Sequence, residues 1–234
     1  MNDLGAALAT ALHLVAAGDP AVLRILGLSL RVSLAATFCA ALLGLPLGAL
    51  LAVARFPGRQ AIIVVLNALM GLPPVVAGLL IYLMLSRSGP LGGLGLLFTP
   101  GAMVIAQTLL IAPILAALSR QAMEPLWEDY AEQLRSFGAG PWRAVPTLLR
   151  DGRFALLTVL LAGFGRASAE VGAVMVVGGN IEGFTRVMTT AIALETSKGD
   201  LPLALALGGI LMALVLAVNV AAQALRGIAL RAGG

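Results

Sequence analysis

The stretch that decides the fold spans residues 126–153 and reads LWEDYAEQLRSFGAGPWRAVPTLLRDGR. Residues 119–153 hold 10 of the chain's 26 charged side chains (15 basic and 11 acidic), so we expect this segment to lie in water. Bulky apolar residues recur in it at spacings of three and four, which predicts an amphipathic helix; they are Trp127, Tyr130, Leu134 and Phe137. Gly and Pro in residues 138–141 end that helix, and a second one follows. A helical hairpin with one apolar face predicts a protein partner.

The composition outside this stretch is that of a membrane protein. The chain is 60% hydrophobic and 11% charged, whereas a soluble domain carries about 25% charged residues. Several uncharged runs exceed the roughly 18 residues that indicate a spanning helix. We therefore predict one all-α, polytopic helical membrane domain over residues 1–234. The net charge of +4 reflects an excess of basic residues, which we expect in cytoplasmic loops; it does not indicate a nucleic-acid partner.

We predict five membrane-spanning helices, over residues 25–53, 61–86, 97–118, 154–177 and 201–225. Residues 1–20 are expected to form an outer, amphipathic segment, and the number of spans becomes six if residues 4–17 also cross. With the charged hairpin in the cytoplasm, nine arginines lie inside and five basic residues lie outside. This bias places the N-terminus outside and the C-terminus in the cytoplasm. Residues 182–200 then form a polar extracytoplasmic loop that could rest on the membrane surface.

The second span contains two consecutive prolines, Pro73 and Pro74. They remove two backbone donors and clash with the preceding turn, which predicts a kink or a break. A break at membrane depth is tolerated only where protein or a water-lined cavity satisfies the freed groups. Two interpretations stay open: a gate in a transport pathway, or a kink that serves packing alone.

The fourth span carries two charges, Arg166 and Glu170, which a continuous helix would place on one face. Each costs about 2.5–3.5 kcal/mol at the bilayer centre on insertion scales. Such residues therefore face a bundle interior or an aqueous cavity. A structural ion pair and a pathway group both remain possible interpretations.

The sequence lacks the motifs of several enzyme classes. It has one His and one Cys and contains neither HExxH nor CxxC, so no metal site is predicted. No nucleophile–base pair is evident, and the sole lysine, Lys198, lies outside any GxxxxGK[ST] motif. We predict a protein that is not an enzyme and holds no cofactor. Energy for transport would come from another subunit or from an ion gradient.

Residues 132–143, EQLRSFGAGPWR, resemble the coupling loop of ABC importer permeases. That loop has Glu-Ala-Ala, three residues and then Gly-Ala, and it continues to a later Ile-x-Leu-Pro. Glu132 and Gly138 match in identity and spacing, whereas residues 133–134 are Gln-Leu instead of two alanines. The later element is degenerate, with Arg150 and Asp151 at the Leu-Pro positions.

Other motifs resemble one branch of these permeases. Residues 72–78 (LPPVVAG) and 165–181 (GRASAEVGAVMVVGGNI) are similar to the molybdate, sulfate and tungstate branch. Residues 185–197 (TRVMTTAIALETS) look most like the tungstate-specific permeases. The resemblance covers about residues 25–226.

The resemblance implies a type I ABC importer permease in the prokaryotic inner membrane. Two chains would form a homodimer with the translocation path at their interface. Two cytoplasmic ATPase subunits, which bind the ATP, would grip residues 119–153, and an extracytoplasmic binding protein would deliver an oxyanion. Tungstate is the expected substrate, with molybdate or sulfate as alternatives. A secondary transporter driven by an ion gradient is the rival class; it predicts an internal repeat, which is not evident.

Candidate site residues follow from the resemblance. Those for ATPase coupling are Glu132, Phe137, Gly138, Ala139, Pro141, Trp142 and Arg143, with Phe137 and Trp142 as anchors. Those for the translocation path or gate are Pro73, Pro74, Arg166, Glu170, Asn180, Thr185 and Arg186. Hydroxyls, amides and single arginines suit weak, transient contacts with a dianion.

Overall fold

The computed structural model describes residues 5, 9–10, 12–14, 16–138 and 140–232. Regular structure in these residues is helical and contains no strand, which confirms the all-α class. The helices are α1 Pro20–Val53, α2 Arg59–Met70, α3 Pro74–Leu85, α4 Pro100–Ser136, α5 Pro141–Asp151, α6 Arg153–Ser168, α7 Gly172–Gly178, α8 Met188–Lys198 and α9 Leu201–Ala232. A short 3-10 turn at Gly92–Leu94 precedes α4.

Three helices are long and apolar enough to cross a membrane: α1, α4 and α9. The pairs α2–α3 and α6–α7 each count as one further span if their two halves cross together, so the described residues supply three to five spans. The upper number equals the predicted five. The expected N-terminal segment lies partly outside the described residues, which are helical at 9–10 and 12–14.

The start of α1 is encoded by Asp19 and Pro20. The Asp19 Oδ1 atom accepts hydrogen bonds from the backbone N–H groups of Ala21 (2.8 Å) and Val22 (3.1 Å). A carboxylate at this position satisfies donors that the first helical turn leaves free, and proline is well suited to the first helical residue. The helix consequently begins five residues before the predicted span.

Helix α4 is longer than predicted. We expected a span over residues 97–118 and then a separate hairpin helix, but Pro100–Ser136 is one helix of 37 residues. At a rise of 1.5 Å per residue it is about 55 Å long, well beyond the roughly 30 Å of a bilayer's hydrocarbon core. The charged first half of the hairpin is therefore a direct continuation of the third span.

The break in the second span is confirmed, since α2 ends at Met70 and α3 begins at Pro74. Proline offers no N–H group to the preceding turn. The turn closes instead through the N–H groups of Gly71 and Leu72, which donate to the carbonyls of Ala68 and Leu69 at 3.1 Å each.

The prediction for the fourth span was wrong in one respect. Helix α6 ends at Ser168, and Glu170 lies in the non-helical connection to α7, so Arg166 and Glu170 do not share one helical face. The Glu170 Oε1 atom accepts the N–H of Ala173 at 3.0 Å. This bond satisfies a free donor at the start of α7 and so favours a new helix over continuation of the old one.

The chain divides into two compact units. Unit 1 comprises residues 1–34, 74–106 and 168–234, and unit 2 comprises residues 35–73 and 107–167. In unit 1, α8 packs on α9 through Met188, Ala191 and Leu207. The core of unit 2 joins the end of α1, the second half of α4, and helices α5 and α6.

Unit 1 also contains a close crossing of α3 and α7. A Cβ atom added to Gly78 would stand 2.8 Å from the Cα of Ala173, and both residues are buried. Only small residues allow helix backbones to approach this closely. The LPPVVAG motif is thereby packed against the second half of the predicted fourth span.

Candidate functional site

The predicted coupling hairpin turns sharply after α4. The N–H of Gly138 donates to the carbonyl of Arg135 at 2.9 Å, and Gly138 has a φ of +69°, which favours glycine. Gly140 then precedes Pro141, the first residue of α5. Ala139 lies outside the described residues. The spacing of Gly and Pro therefore encodes the turn itself.

Most of the hairpin's apolar face is covered by the chain. Trp127 is only 8% exposed, and Val145 and Leu148 are buried with it. They share one buried cluster with residues near the end of α1, namely Ala49, Ala52 and Val53, and Leu134 is partly buried against it. The prediction that the apolar face needs a partner protein was thus wrong for Trp127 and Leu134, because the end of the first span belongs to the same cluster.

Two aromatic side chains at the tip remain uncovered. Phe137 is 84% exposed and Trp142 is 77% exposed. The charged candidates Glu132 and Arg143 are also exposed. Large exposed aromatic rings beside charges are typical of residues that anchor a protein–protein interface. The structure thus narrows the predicted partner surface to the turn.

The base of the hairpin is held by a charged cluster. Glu124 Oε1 lies 2.6 Å from Arg120 Nη1 and 3.0 Å from Arg59 Nη2, and Arg59 Nε donates to the carbonyl of Leu51 at 2.7 Å. The cluster ties the α1–α2 connection to α4. A cavity of about 270 Å³ beside it is also lined by Arg55 and Trp127.

Several predicted path residues meet in unit 1. A Cβ atom on Gly172 would lie 3.6 Å from Pro74 Cβ, which places Pro74 beside the start of α7. Glu170 is buried, and its carbonyl accepts a hydrogen bond from Thr189 Oγ1 at 2.8 Å. The N–H of Met188 donates to Ser29 Oγ at 2.7 Å. Polar side chains thereby join α1, α8 and the α6–α7 connection.

The loop between α7 and α8 contains the other path candidates of unit 1. Thr185 is buried, and its hydroxyl donates to the carbonyl of Gly178 (2.6 Å) and accepts the N–H of Ile181 (3.0 Å). Asn180 has a positive φ of 49°, and Arg186 lies 3.5 Å from the Glu182 carboxylate. Thr185 therefore holds the turn and has no open donor.

The two remaining candidates belong to unit 2. Pro73 is exposed at the break between α2 and α3, and Arg166 is half-buried in the last turn of α6. The other five path candidates all belong to unit 1; they are Pro74, Glu170, Asn180, Thr185 and Arg186.

Comparison with known proteins connects these features to a family. Residues 44–227 match the model of a family described as binding-protein-dependent transport system inner membrane component. The chain belongs to this family. The expectation of an ABC importer permease rather than an enzyme is thereby confirmed, as is a multi-pass position in the inner membrane. A permease of this kind works with an ATPase and a binding protein.

Relatives of this permease cover most of its length. It is 43% identical over 200 residues to the "Probable anion ABC transporter permease protein" of Haloferax volcanii, a match covering 83% of this chain and 86% of the relative. It is 40% identical over 209 residues to the "Tungstate uptake system permease protein TupB" of Peptoclostridium acidaminophilum, covering 89% and 92%. The protein of that name from Campylobacter jejuni is 38% identical over 165 residues, covering 70% and 69%. More distant relatives are named as molybdenum and sulfate permeases.

Sequence reasoning missed residues of this permease at two places. Arg120 and Glu124 could have been found from their spacing of four within a helix. No local signal pointed to Arg24, which lines a cleft with the distant Arg186.

Proposed function

We propose that this chain is the permease subunit of an importer for tungstate. The observation that carries the proposal is its 40% identity, over 89% of its length, to a relative named as a tungstate uptake permease. Molybdate and sulfate are the alternatives within the same class. Tungstate and molybdate have nearly the same size and charge, so the choice between them rests on similarity.

In this proposal a homodimer of the chain forms the path, with two ATPase subunits below it and a tungstate-binding protein outside. The exposed rings of Phe137 and Trp142 enter a groove on each ATPase. Since α4 is one helix from the membrane to this turn, a push at the tip acts directly on a membrane span. Energy from ATP thus enters at the hairpin.

The proposed path groups combine backbone breaks with scattered polar side chains. Pro73 and Pro74 interrupt one span, and Glu170 lies where another is interrupted. Arg166, Asn180 and Arg186 supply donors for an anion in transit. Tight recognition is left to the binding protein, because a site that held the dianion firmly would slow its release.

The test is metal uptake in a deletion strain. Cells lacking the gene are grown with tungstate, molybdate or both, and cellular tungsten and molybdenum are measured by mass spectrometry. The wild-type gene should restore tungsten accumulation, and Gly138→Val should not, since a β-branched residue resists the positive φ of this turn. If the deletion strain accumulates as much tungsten as wild type, tungstate is not the substrate of this permease. Reporter fusions at the termini test the proposed outside N-terminus.

A further inference from the structure

A small cleft in unit 1 brings together two arginines that lie far apart in the sequence. It has a volume of about 60 Å³ and lies between the start of α1 and the loop before α8. Arg24 and Arg186 line it with Glu182 and Gly183, and Ile25 and Leu28 contribute apolar lining. The sequence predicts residues 182–200 to be an extracytoplasmic loop, where a binding protein would release its anion; in the structure most of this segment is helix α8, and only the residues before Met188 are a loop.

The charge of Arg186 is incompletely compensated. Its side chain is only 19% exposed, yet its ion pair is a single 3.5 Å approach of Nη1 to Glu182 Oε2. Its Nε atom is buried and has no hydrogen-bond partner in the part of the chain that the structure describes. A buried donor without an acceptor is unfavourable. The guanidinium therefore has capacity for an additional acceptor.

Glu182 is a weak competitor for this arginine. Its side chain is 84% exposed, and an ion pair whose carboxylate stands in water at this distance contributes little to stability. An incoming anion that brings more than one acceptor oxygen can displace it without a large loss.

Arg24 adds a second positive charge at the cleft. Its Nη1 atom lies 3.7 Å from the place where a Cβ atom of residue 183 would stand. Gly183 has a φ of +72°, so a larger residue there would be strained and would also narrow the cleft beside Arg24. Glycine keeps this approach open.

The size and charge of the cleft restrict its ligand. A cleft of about 60 Å³ is far smaller than the roughly 300–1,000 Å³ of sites for drug-sized molecules, so it suits an ion of a few atoms. Two guanidinium groups against one carboxylate leave a net positive charge. Arginine pairs with the oxygens of tetrahedral oxyanions through two parallel hydrogen bonds.

We propose that Arg24 and Arg186 form an entry site for a tetrahedral dianion, which replaces Glu182 as the partner of Arg186. The identity of the dianion as tungstate rests on the proposed function. The proposal adds Arg24 to the residues of the path. Glu182 pairs with Arg186 when no anion is bound and is displaced when an anion enters.

The experiment is equilibrium dialysis of the purified permease–ATPase complex, without binding protein, against sodium tungstate, with bound tungsten measured by mass spectrometry. Arg186→Gln should weaken binding about tenfold or more, and Arg24→Gln several-fold, because each loses a charge-assisted hydrogen bond. Glu182→Gln should bind as tightly as wild type or more tightly. Arg87→Gln is the matched control, since Arg87 lines a different cavity, of about 470 Å³, and should not change binding.

Equal tungstate affinity in wild type and Arg186→Gln would overturn the proposal, as would weaker binding in Glu182→Gln. If Arg186→Gln does not assemble, the opposite effects expected for Arg24→Gln and Glu182→Gln still decide. Parallel dialysis with molybdate and sulfate distinguishes a failure of this site from a failure of the substrate assignment. If the two arginines bind these dianions but cells import no tungsten, the proposed substrate is refuted and the site stands. If cells import tungsten but the arginine variants bind anions as wild type does, the site is refuted and the substrate stands.

Discussion

The chain has two tryptophans, both in the hairpin, and the structure predicts opposite consequences for their removal. Trp142 is 77% exposed at the turn, and Trp127 is 8% exposed in the core of unit 2. An aromatic side chain buries about 150–250 Å² when it is fully covered. The exposed part of Trp142 therefore offers about 115–190 Å² to a partner, which at about 25 cal/mol per Å² corresponds to about 3–5 kcal/mol.

Ordering the side chain on binding costs about 0.5–1.5 kcal/mol, so the net contribution is about 1.5–4.5 kcal/mol. Trp142→Ala should thus weaken the affinity for the ATPase about tenfold or more and leave the permease fold unchanged. Trp127→Ala should instead destabilise the permease by about 3–5 kcal/mol, the usual cost of deleting a buried tryptophan.

The assay combines three measurements on each variant: ATPase retained on the purified permease, thermal unfolding of the permease alone in detergent, and tungsten uptake in cells. Wild-type ATPase affinity in Trp142→Ala would refute the assignment of the turn as the docking point. A fall in its unfolding temperature equal to that of Trp127→Ala would show that the ring supports the fold instead.

Other contacts give three further predictions. Gly78→Val should prevent the close crossing of α3 with Ala173 and so reduce the yield of folded permease, which size-exclusion chromatography measures. A normal yield with normal tungsten uptake would argue against the crossing. Thr185→Val should cost about 1–3 kcal/mol because the carbonyl of Gly178 loses its buried donor, whereas Thr185→Ser should restore thermal stability. Glu124→Gln should lower the free energy of unfolding by only about 1 kcal/mol, because water partly screens its ion pairs. An unchanged unfolding temperature would show that these ion pairs do not stabilise the base of the hairpin.

The sequence predicted the spans and the hairpin because both are local properties. An apolar run of sufficient length and a 3.6-residue period can be recognised without knowing any neighbour. The break at Pro73 and Pro74 was predictable for the same reason, since the missing N–H belongs to the prolines themselves. The turn at Gly138 also depends only on its own residues.

The length of α4 could not be predicted in this way. A change from apolar to charged residues after Leu118 marks the expected water boundary, but a helix can continue through that boundary. Glu170 shows the opposite case, in which a helix was expected to continue. Its carboxylate bonds to the next helical turn, and this local competition ended the helix within an apolar segment.

Which faces are covered depends on distant segments, and this determines which site predictions survive. Trp127 was grouped with Phe137 because the two share a helical stripe, yet only Trp127 belongs to the buried cluster that includes the end of α1. Thr185 was chosen for its hydroxyl, which the fold uses fully, whereas Arg186 retains a buried donor and faces Arg24 across a cleft that no spacing rule connects. Donor capacity that remains after folding, rather than the number of polar residues, therefore indicates where an anion can bind. By this criterion anion binding to the permease should respond to Arg24 and Arg186 more than to the threonines.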